Sequence, residues 1–147
     1  HPIYGHFWYR IDMAVWAKKI ARRIKGRTFR PVRWYPVGQD WMKKGDLETE
    51  WAEVCGPGAI WEELLRTAHS VVVFASAVAV ESIVKGVPIF TYGEDCVARS
   101  MAGDPRFVES PKCPRDAERL QFLSDLAYTQ WTAQEMWSGE CWEALWM

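Results

Sequence analysis

The chain has 147 residues, which suits one ordinary domain that buries roughly two thirds of its unfolded surface and leaves no room for a second full domain. Its formal net charge is -1 and its pI is near 6.4, which argues against a dedicated nucleic-acid-binding protein, because such proteins carry a clear basic excess. The four cysteines form no C-x-x-C pair and no apolar run approaches the ~20 residues of a membrane span, so we expect a cytoplasmic protein with reduced thiols. Because the first residue is His1 rather than Met, truncation of a longer natural chain stays open.

The first half of the chain predicts a basic amphipathic helix followed by an edge strand. Residues 10–26 place apolar side chains on one helical face and lysines and arginines on the other. Residues 28–35 alternate apolar side chains with arginines, and Pro31 places this predicted strand at a sheet edge. Residues 39–57 predict a loop with a short helix, and residues 59–68 a second short helix. The apolar face of the first helix is predicted to carry Ile11, Ala14, Val15, the Lys18 stem, Ile20 or Ala21, and Ile24.

This helix and strand carry a local basic block despite the near-neutral total charge. It consists of Lys18, Lys19, Arg22, Arg23, Lys25, Arg27, Arg30 and Arg33. One interpretation is a helix face that simply meets water, and the other is a surface that neutralises the phosphates of a nucleic acid. Since the whole chain lacks a basic excess, we do not expect nucleic acid to be a partner.

The centre of the chain, residues 70–92, predicts a β-α-β unit. Residues 71–74 are short, apolar and β-branched, which is typical of a strand buried on both faces of a parallel sheet. Residues 77–85 repeat apolar side chains at helical spacing, and Gly86 is placed to end the helix. Residues 87–92 predict the second buried strand, joined to the first by a right-handed crossover.

The remaining residues predict helices. Asp95 is placed to cap a short helix over residues 95–101, and residues 116–131 predict a strong helix. Residues 132–139 continue or restart that helix, and residues 140–147 add a last turn or two. We therefore predict an α/β fold in which residues 1–147 form one domain. Its core is a single Rossmann-like open parallel sheet with flanking helices, and the carboxyl-terminal helices pack back on it.

Ligands of such a fold bind at the carboxyl ends of the strands and the amino ends of the helices that follow. Ser76 is either a plain helix cap or part of a phosphate-binding turn. Glu81 is either a surface glutamate or a carboxylate that accepts two hydroxyl donors, as the diol of a ribose requires. In the loop after the second strand, Glu94 and Asp95 are placed to hold a sugar hydroxyl or act as a base, unless Asp95 only caps its helix. Arg99 is placed to reach a phosphate or to pair with Asp95.

Residues 76–90, SAVAVESIVKGVPIF, resemble the S-x-x-x-x-E-A-x-x-x-G-x-P-V segment in the carboxyl-terminal, donor-binding half of GT-B glycosyltransferases. The continuation through Gly93 is similar to capsule-type sugar transferases, and residues 130–140 resemble small bacteriophage proteins related to that half. The resemblance implies that Ser76 and Ala77 face the donor phosphates and that Glu81 binds the ribose. Ser82 stands where that segment has alanine. The nucleotide sugar would be a substrate, so no cofactor is expected, and without a D-x-D motif no metal is expected.

Two functions follow. The first is a glycosyltransferase-like domain that binds a nucleotide sugar and transfers its sugar, with no catalytic residue assigned, in a bacterial host or a phage-infected cell. Because a GT-B site lies between two domains, the second is a non-catalytic phage or mobile-element module that binds a nucleotide or a partner protein. A homodimer or a partner would then use the tryptophan-rich carboxyl end. Its tryptophans are Trp131, Trp137, Trp142 and Trp146, although these side chains also suit a packed core.

Overall fold

The computed structural model describes residues 12–35, 50–56 and 58–146. Within these ranges the chain forms helices and short strands in alternation. The helices are α1 (Met13–Lys25), α2 (Trp61–Thr67), α3 (Val78–Val84), α4 (Asp116–Tyr128), α5 (Ala133–Ser138) and α6 (Glu140–Trp146). The strands are β1 (Arg33–Trp34), β2 (Glu53–Val54), β3 (Val71–Val73) and β4 (Ile89–Thr91). Two 3₁₀ turns, Arg99–Met101 and Pro105–Phe107, lie between β4 and α4.

The fold is mixed α/β and the strands pair in parallel. β1 pairs with β2, and β3 pairs with β4 with Val71 opposite Ile89. Among the described residues these are two separate two-stranded sheets, not the single continuous sheet that the sequence predicts. The strands are two or three residues long, so each sheet offers few backbone hydrogen bonds and depends on the helices packed against it.

The predicted β-α-β unit is present as β3, α3 and β4. α3 packs against both strands and buries Ala79 and Ile83 in a core cluster with Val73 and Ile89. Ser82 lies on the same buried face with no exposed surface, and its hydroxyl donates to the Val78 carbonyl oxygen at 2.8 Å. That hydrogen bond satisfies the buried hydroxyl, so a serine is accommodated in an apolar core.

α1 is present, but its buried face differs from the predicted one. Asp12 caps its amino end by accepting from the backbone N–H groups of Ala14 and Val15. Val15, predicted to point inward, is 63% exposed, and Trp16 packs against the core instead. The buried face is formed by Ala17, Ile20, Ala21 and Ile24. The bulky indole ring thus fixes the rotation of the helix about its axis, and Ile11 lies outside the described residues.

Two predictions around β1 and β2 are corrected. Of the strand predicted over residues 28–35 only Arg33–Trp34 forms, and Phe29 is fully exposed. β2 lies in the segment predicted to be a loop with a short helix, of which residues 39–49 and 57 are outside the described residues. The charged residues of this segment did not suggest a strand, but one of them forms an ion pair across the sheet. Arg33 Nε lies 3.4 Å from Glu53 Oε2, and the two residues are opposite each other in the register.

The carboxyl-terminal helices begin close to their predicted positions. α4 packs against α3, and Phe122 reaches the core cluster of the β-α-β unit. α4 ends at Tyr128, short of the predicted residue 131, because Thr132 restarts the chain as α5 with a capping box to Glu135. The short helix predicted over residues 95–101 is a turn followed by the Arg99–Met101 3₁₀ turn, so Asp95 caps no α-helix. Within the described ranges no helix combines the length and apolar character that crossing a bilayer requires.

Candidate functional site

The carboxyl ends of β3 and β4 are held together by a close backbone contact. The N–H of Tyr92 donates to the Val73 oxygen at 3.1 Å, and the N–H of Gly93 donates to the Phe74 oxygen at 2.8 Å. A Cβ atom on Gly93 would lie 2.5 Å from that Phe74 oxygen, so the approach requires a glycine. The loops that follow β3 and β4 therefore begin side by side at the carboxyl edge of the sheet, where ligands of such folds bind.

An aromatic cluster places α1 across these strand ends. The Trp16 ring meets the rings of Phe74, Trp34 and Tyr92 edge to face, with centroid distances of 5.5, 6.2 and 6.2 Å. Such edge contacts are the favoured geometry for aromatic pairs. Because these three rings follow or end β3, β1 and β4, Trp16 packs the amino-terminal part of α1 against the carboxyl ends of these strands.

A cavity of about 290 Å³ opens where the end of α1 meets the end of β4. We call it the arginine cavity. Its lining residues are Arg23, Arg27, Thr91, Tyr92, Glu94, Arg99, Asp104, Pro105 and Arg106. Four arginines against two carboxylates give this lining a formal charge of +2, although the whole chain carries -1. The arrangement favours an anion.

The arginines differ in how far they are already paired. Arg106 Nε donates to Asp104 at 2.7 Å, and this hydrogen bond holds the pKa of the Asp104 carboxyl below its usual range. Arg27 and Arg99 donate only to main-chain oxygens, those of Pro105 and Gly93, at 3.4 Å. Among the described residues, Arg23, Arg27 and Arg99 have no carboxylate within ion-pair distance. Three guanidinium groups are therefore available to a ligand.

The hydroxyl of Tyr92 is the second unusual group of the arginine cavity. Its oxygen is buried and has no hydrogen-bond partner among the described residues. Burial raises the pKa of this phenol above its ordinary value, so the group is a neutral donor at neutral pH. The charges that act on it, Arg23, Arg27 and Asp104, all line the cavity. Tyr92 and the charged groups that act on its hydroxyl are thus neighbours in one lining.

The predicted site residues divide between this cavity and α3. Glu94 and Arg99 both line the arginine cavity, whereas Ser76, Ala77, Glu81 and Asp95 do not. The Ser76 hydroxyl accepts from the N–H of Val78 at 3.3 Å, in the turn before α3, whose N-cap residue is Ala77. Ala77 is exposed at the start of α3, and Asp95 is exposed in the turn after β4.

Glu81 belongs to a separate aromatic surface on the other side of α3's first turn. Its Oε2 accepts from the indole N–H of Trp61 at 2.6 Å, and the Trp61 ring lies 5.4 Å from that of Tyr35. Glu81 is exposed, so the carboxylate keeps acceptor sites for a further donor. A carboxylate beside two aromatic faces suits a ring with hydroxyl groups, such as a ribose.

Sequence reasoning did not assign seven of the residues that line the arginine cavity, namely Arg23, Arg27, Thr91, Tyr92, Asp104, Pro105 and Arg106. Arg23 and Arg27 stood out only as part of the basic block, and no local pattern places them at the strand edge, because α1 ends at Lys25 before Arg27 is reached. Their position depends on tertiary contacts, such as the packing of Trp16 and the hydrogen bond from Arg27 to the Pro105 oxygen.

Comparison with protein-family models, with curated proteins and with solved structures found no match to this chain. Among the described residues, no group of three or more histidine, cysteine, aspartate or glutamate side chains is arranged to hold a metal ion. All four cysteines are free thiols, with Cys96 and Cys141 buried. The arginine cavity is thus the best-defined candidate site in the described part of the chain.

Proposed function

We propose that this chain is a glycosyltransferase-like domain that binds a nucleotide-sugar donor at the carboxyl ends of β3 and β4. The observation that carries the proposal is the arginine cavity, because Glu94 and Arg99 meet there at the end of β4. Arginines are suited to phosphate, since their planar donor groups match its oxygens.

The donor extends along the strand edge in this proposal. Its phosphates occupy the arginine cavity, and its ribose lies against Glu81, whose carboxylate is already oriented by Trp61. Ser76 and Ala77 lie just before α3, the helix that carries Glu81. In sugar transfer, the arginines stabilise the negative charge that develops on the leaving nucleotide. The compartment we propose is the cytoplasm of a bacterial host or a phage-infected cell.

Thermal-shift measurements with UDP, GDP, CMP and their sugar conjugates test this proposal. We expect one nucleotide class to raise the midpoint of unfolding, and Glu81→Ala and Arg99→Gln to abolish most of the shift. Glu63→Ala and Arg66→Gln are matched controls, because they remove exposed charges of the same kind on α2, outside the cavity. If no nucleotide shifts the wild-type midpoint, the donor-binding function is wrong.

A second candidate function is a non-catalytic module that binds a nucleotide or a partner protein. The observation that favours it is on α5 and α6, which pack against each other and leave Trp137 88% and Trp142 62% exposed. Large exposed indole rings on neighbouring helices are typical of an interface. The side chain of Trp146 lies outside the described part of the chain, and Trp131 is half-buried. A homodimer formed there would bring two strand edges into one assembly.

A further inference from the structure

We infer that α5 and α6 of one copy of this chain bind the outer face of α1 of a second copy. The outer face of α1 is formed by Val15, Lys19 and Arg22, which are all exposed. The inference rests on the second candidate function, because it takes α5 and α6 as an interface. It goes further by naming the surface that covers these helices and the chemistry that holds the two together.

Two segments far apart in the sequence carry opposite charge. Residues 18–33 contain eight lysines and arginines and no acidic residue, whereas residues 120–147 contain four acidic residues and no lysine or arginine. The formal side-chain charges of these segments are therefore +8 and -4, although the whole chain carries -1. Surfaces of opposite charge attract each other during an encounter, and each disfavours contact with its own sign.

The acidic surface combines exposed carboxylates with exposed indole rings. Glu140 and Glu143 lie on α6, are exposed and form no ion pair within the described ranges. Trp137 and Trp142 are the large exposed side chains of the same pair of helices. Cations bind favourably to the face of an indole ring as well as to a carboxylate. A surface of this composition therefore suits lysine and arginine side chains.

The outer face of α1 supplies such cations beside an apolar side chain. Lys19 is four positions after Val15 and Arg22 is three positions after Lys19, so the three share one side of the helix, opposite its buried face. Among the described residues, Lys19 and Arg22 have no carboxylate within ion-pair distance. The Arg22 guanidinium carbon lies 5.4 Å from the centroid of the Trp51 ring, so this face already contacts an indole within one chain.

Contact of α5 and α6 with the same helices of a second copy is less favourable. It would bring the Glu140 and Glu143 carboxylates of the two copies together, and like charges at an interface oppose binding. Contact with α1 instead brings each carboxylate near a cation, and it covers Val15 with an apolar ring. When each copy contributes both surfaces to its partner, the arrangement closes as a two-fold dimer.

Charge reversal on each surface tests the inference, with association measured by sedimentation velocity. The wild type should associate reversibly, and its dissociation constant should rise at least tenfold when salt is raised from about 0.05 to about 0.5 M. Glu140→Lys with Glu143→Lys should raise the dissociation constant at least tenfold, and so should Lys19→Glu with Arg22→Glu. An equimolar mixture of the two double variants should restore association to within about threefold of the wild type, because opposite charges meet again.

Glu62→Lys with Glu63→Lys is the matched control. It reverses the same charges on exposed residues of α2, outside both surfaces, and should associate as the wild type does. Far-UV circular dichroism checks that each variant is folded. Restored association in the mixture adds a second check, because an unfolded variant could not supply the surface that its partner requires.

Association of Lys19→Glu with Arg22→Glu as tight as that of the wild type would overturn the inference, and so would two weakened variants whose mixture does not associate. The failures of the two proposals are distinguishable. A wild-type mass that stays at 17.0 kDa in low salt removes both the homodimer and the contact with α1. If Trp137→Ser with Trp142→Ser weakens association and the α1 variant does not, the interface on α5 and α6 stands and only its contact with α1 is wrong.

Discussion

Arg119 on α4 donates a hydrogen bond of 3.1 Å from Nη1 to the main-chain oxygen of Ile83, in the last turn of α3. Its Nη2 also donates to Asp116 at 2.7 Å, which fixes the guanidinium against the start of α4. Gly86 follows α3 with a positive φ of 73° and lets the guanidinium approach the helix end. The contact supplies a carbonyl at the end of α3 with a charged donor and connects α4 to the β-α-β unit.

Gly86→Ala is expected to destabilise the protein by about 2 kcal/mol or more. The left-handed backbone disfavours any side chain, and the new Cβ would lie 2.6 Å from Arg119 Nη1. Gly26→Ala is the matched control, since Gly26 also ends a helix but has a φ of -70° and only ordinary contacts. It should be neutral or stabilising by a few tenths of a kcal/mol. Urea unfolding followed by far-UV circular dichroism measures both, and equal effects at the two glycines would contradict the prediction.

Gly93→Ala should affect both stability and the site. The added Cβ meets the Phe74 carbonyl oxygen, a backbone atom that cannot move aside cheaply, so we expect a loss of about 1–3 kcal/mol. Because the strand ends must separate, binding of the nucleotide that raises the wild-type unfolding midpoint should weaken as well. Chemical denaturation and calorimetry test the two effects. The expectation is wrong if Gly93→Ala matches Gly26→Ala in stability.

Glu109 predicts an acid dependence of stability. Its carboxylate accepts from the Thr28 hydroxyl, from the Phe29 N–H at 3.1 Å and from Arg30 Nε at 3.3 Å. The hydrogen bond from Thr28, followed by those from Phe29 and Arg30, lowers the pKa of Glu109 from its ordinary 4.5. The ionised carboxylate therefore stabilises the fold above pH 4.5, and this contribution is lost as the pH falls through the lower pKa of the folded state.

The comparison of wild type with Glu109→Gln measures this contribution. The difference between their free energies of unfolding should be largest near pH 7 and should shrink steadily below pH 4.5. Glu63→Gln serves as control, because Glu63 is exposed and has no hydrogen bond or ion pair within the described ranges. A constant difference between wild type and Glu109→Gln across the pH range would show that the lowered pKa contributes nothing to stability.

The exposed indoles of α5 and α6 make the second candidate function testable. If they form a homodimer interface, light scattering gives twice the 17.0 kDa of one chain, and Trp137→Ser with Trp142→Ser raises the dissociation constant at least tenfold. Tyr128→Ser is the control, because Tyr128 is an exposed aromatic residue on α4, outside these helices. A wild-type mass of 17.0 kDa at all concentrations tested would exclude the homodimer.

The sequence predicted the β-α-β unit because its pattern is local. The apolar run of β3, the helical spacing of α3 and the glycine that ends it all lie within one short segment. β2 was not predictable in this way, since Glu53 is stabilised in a strand by Arg33, which lies far away in sequence. The single predicted sheet rested on the alternation of helices and strands around β3 and β4. The strand predicted over residues 28–35 forms only Arg33–Trp34, which pairs with β2 in a separate sheet.

The candidate site, like the fold, was predictable only where its residues belong to a local sequence pattern. Glu94 and Arg99 follow a recognisable strand, so their position at its carboxyl end follows from topology alone. Arg23 and Arg27 precede that strand by more than sixty positions, and the pattern of α1 predicted the burial of Ile20 and Ile24 but not the exposure of Val15. The position of these two arginines depends on tertiary contacts, namely the packing of Trp16 and Ile24 and the hydrogen bond from Arg27 to the Pro105 oxygen.

The contact between Thr28 and Glu109 spans 81 positions of the chain, and the neighbouring bond from Arg27 to Pro105 spans 78. The walls of the arginine cavity are therefore brought together only when this long segment closes on itself. Closure costs conformational entropy before its contacts form, whereas β3, α3 and β4 meet across a short stretch of chain. We expect the cavity to be completed late in folding, after the transition state. A ligand held there would then slow unfolding and leave the folding rate nearly unchanged.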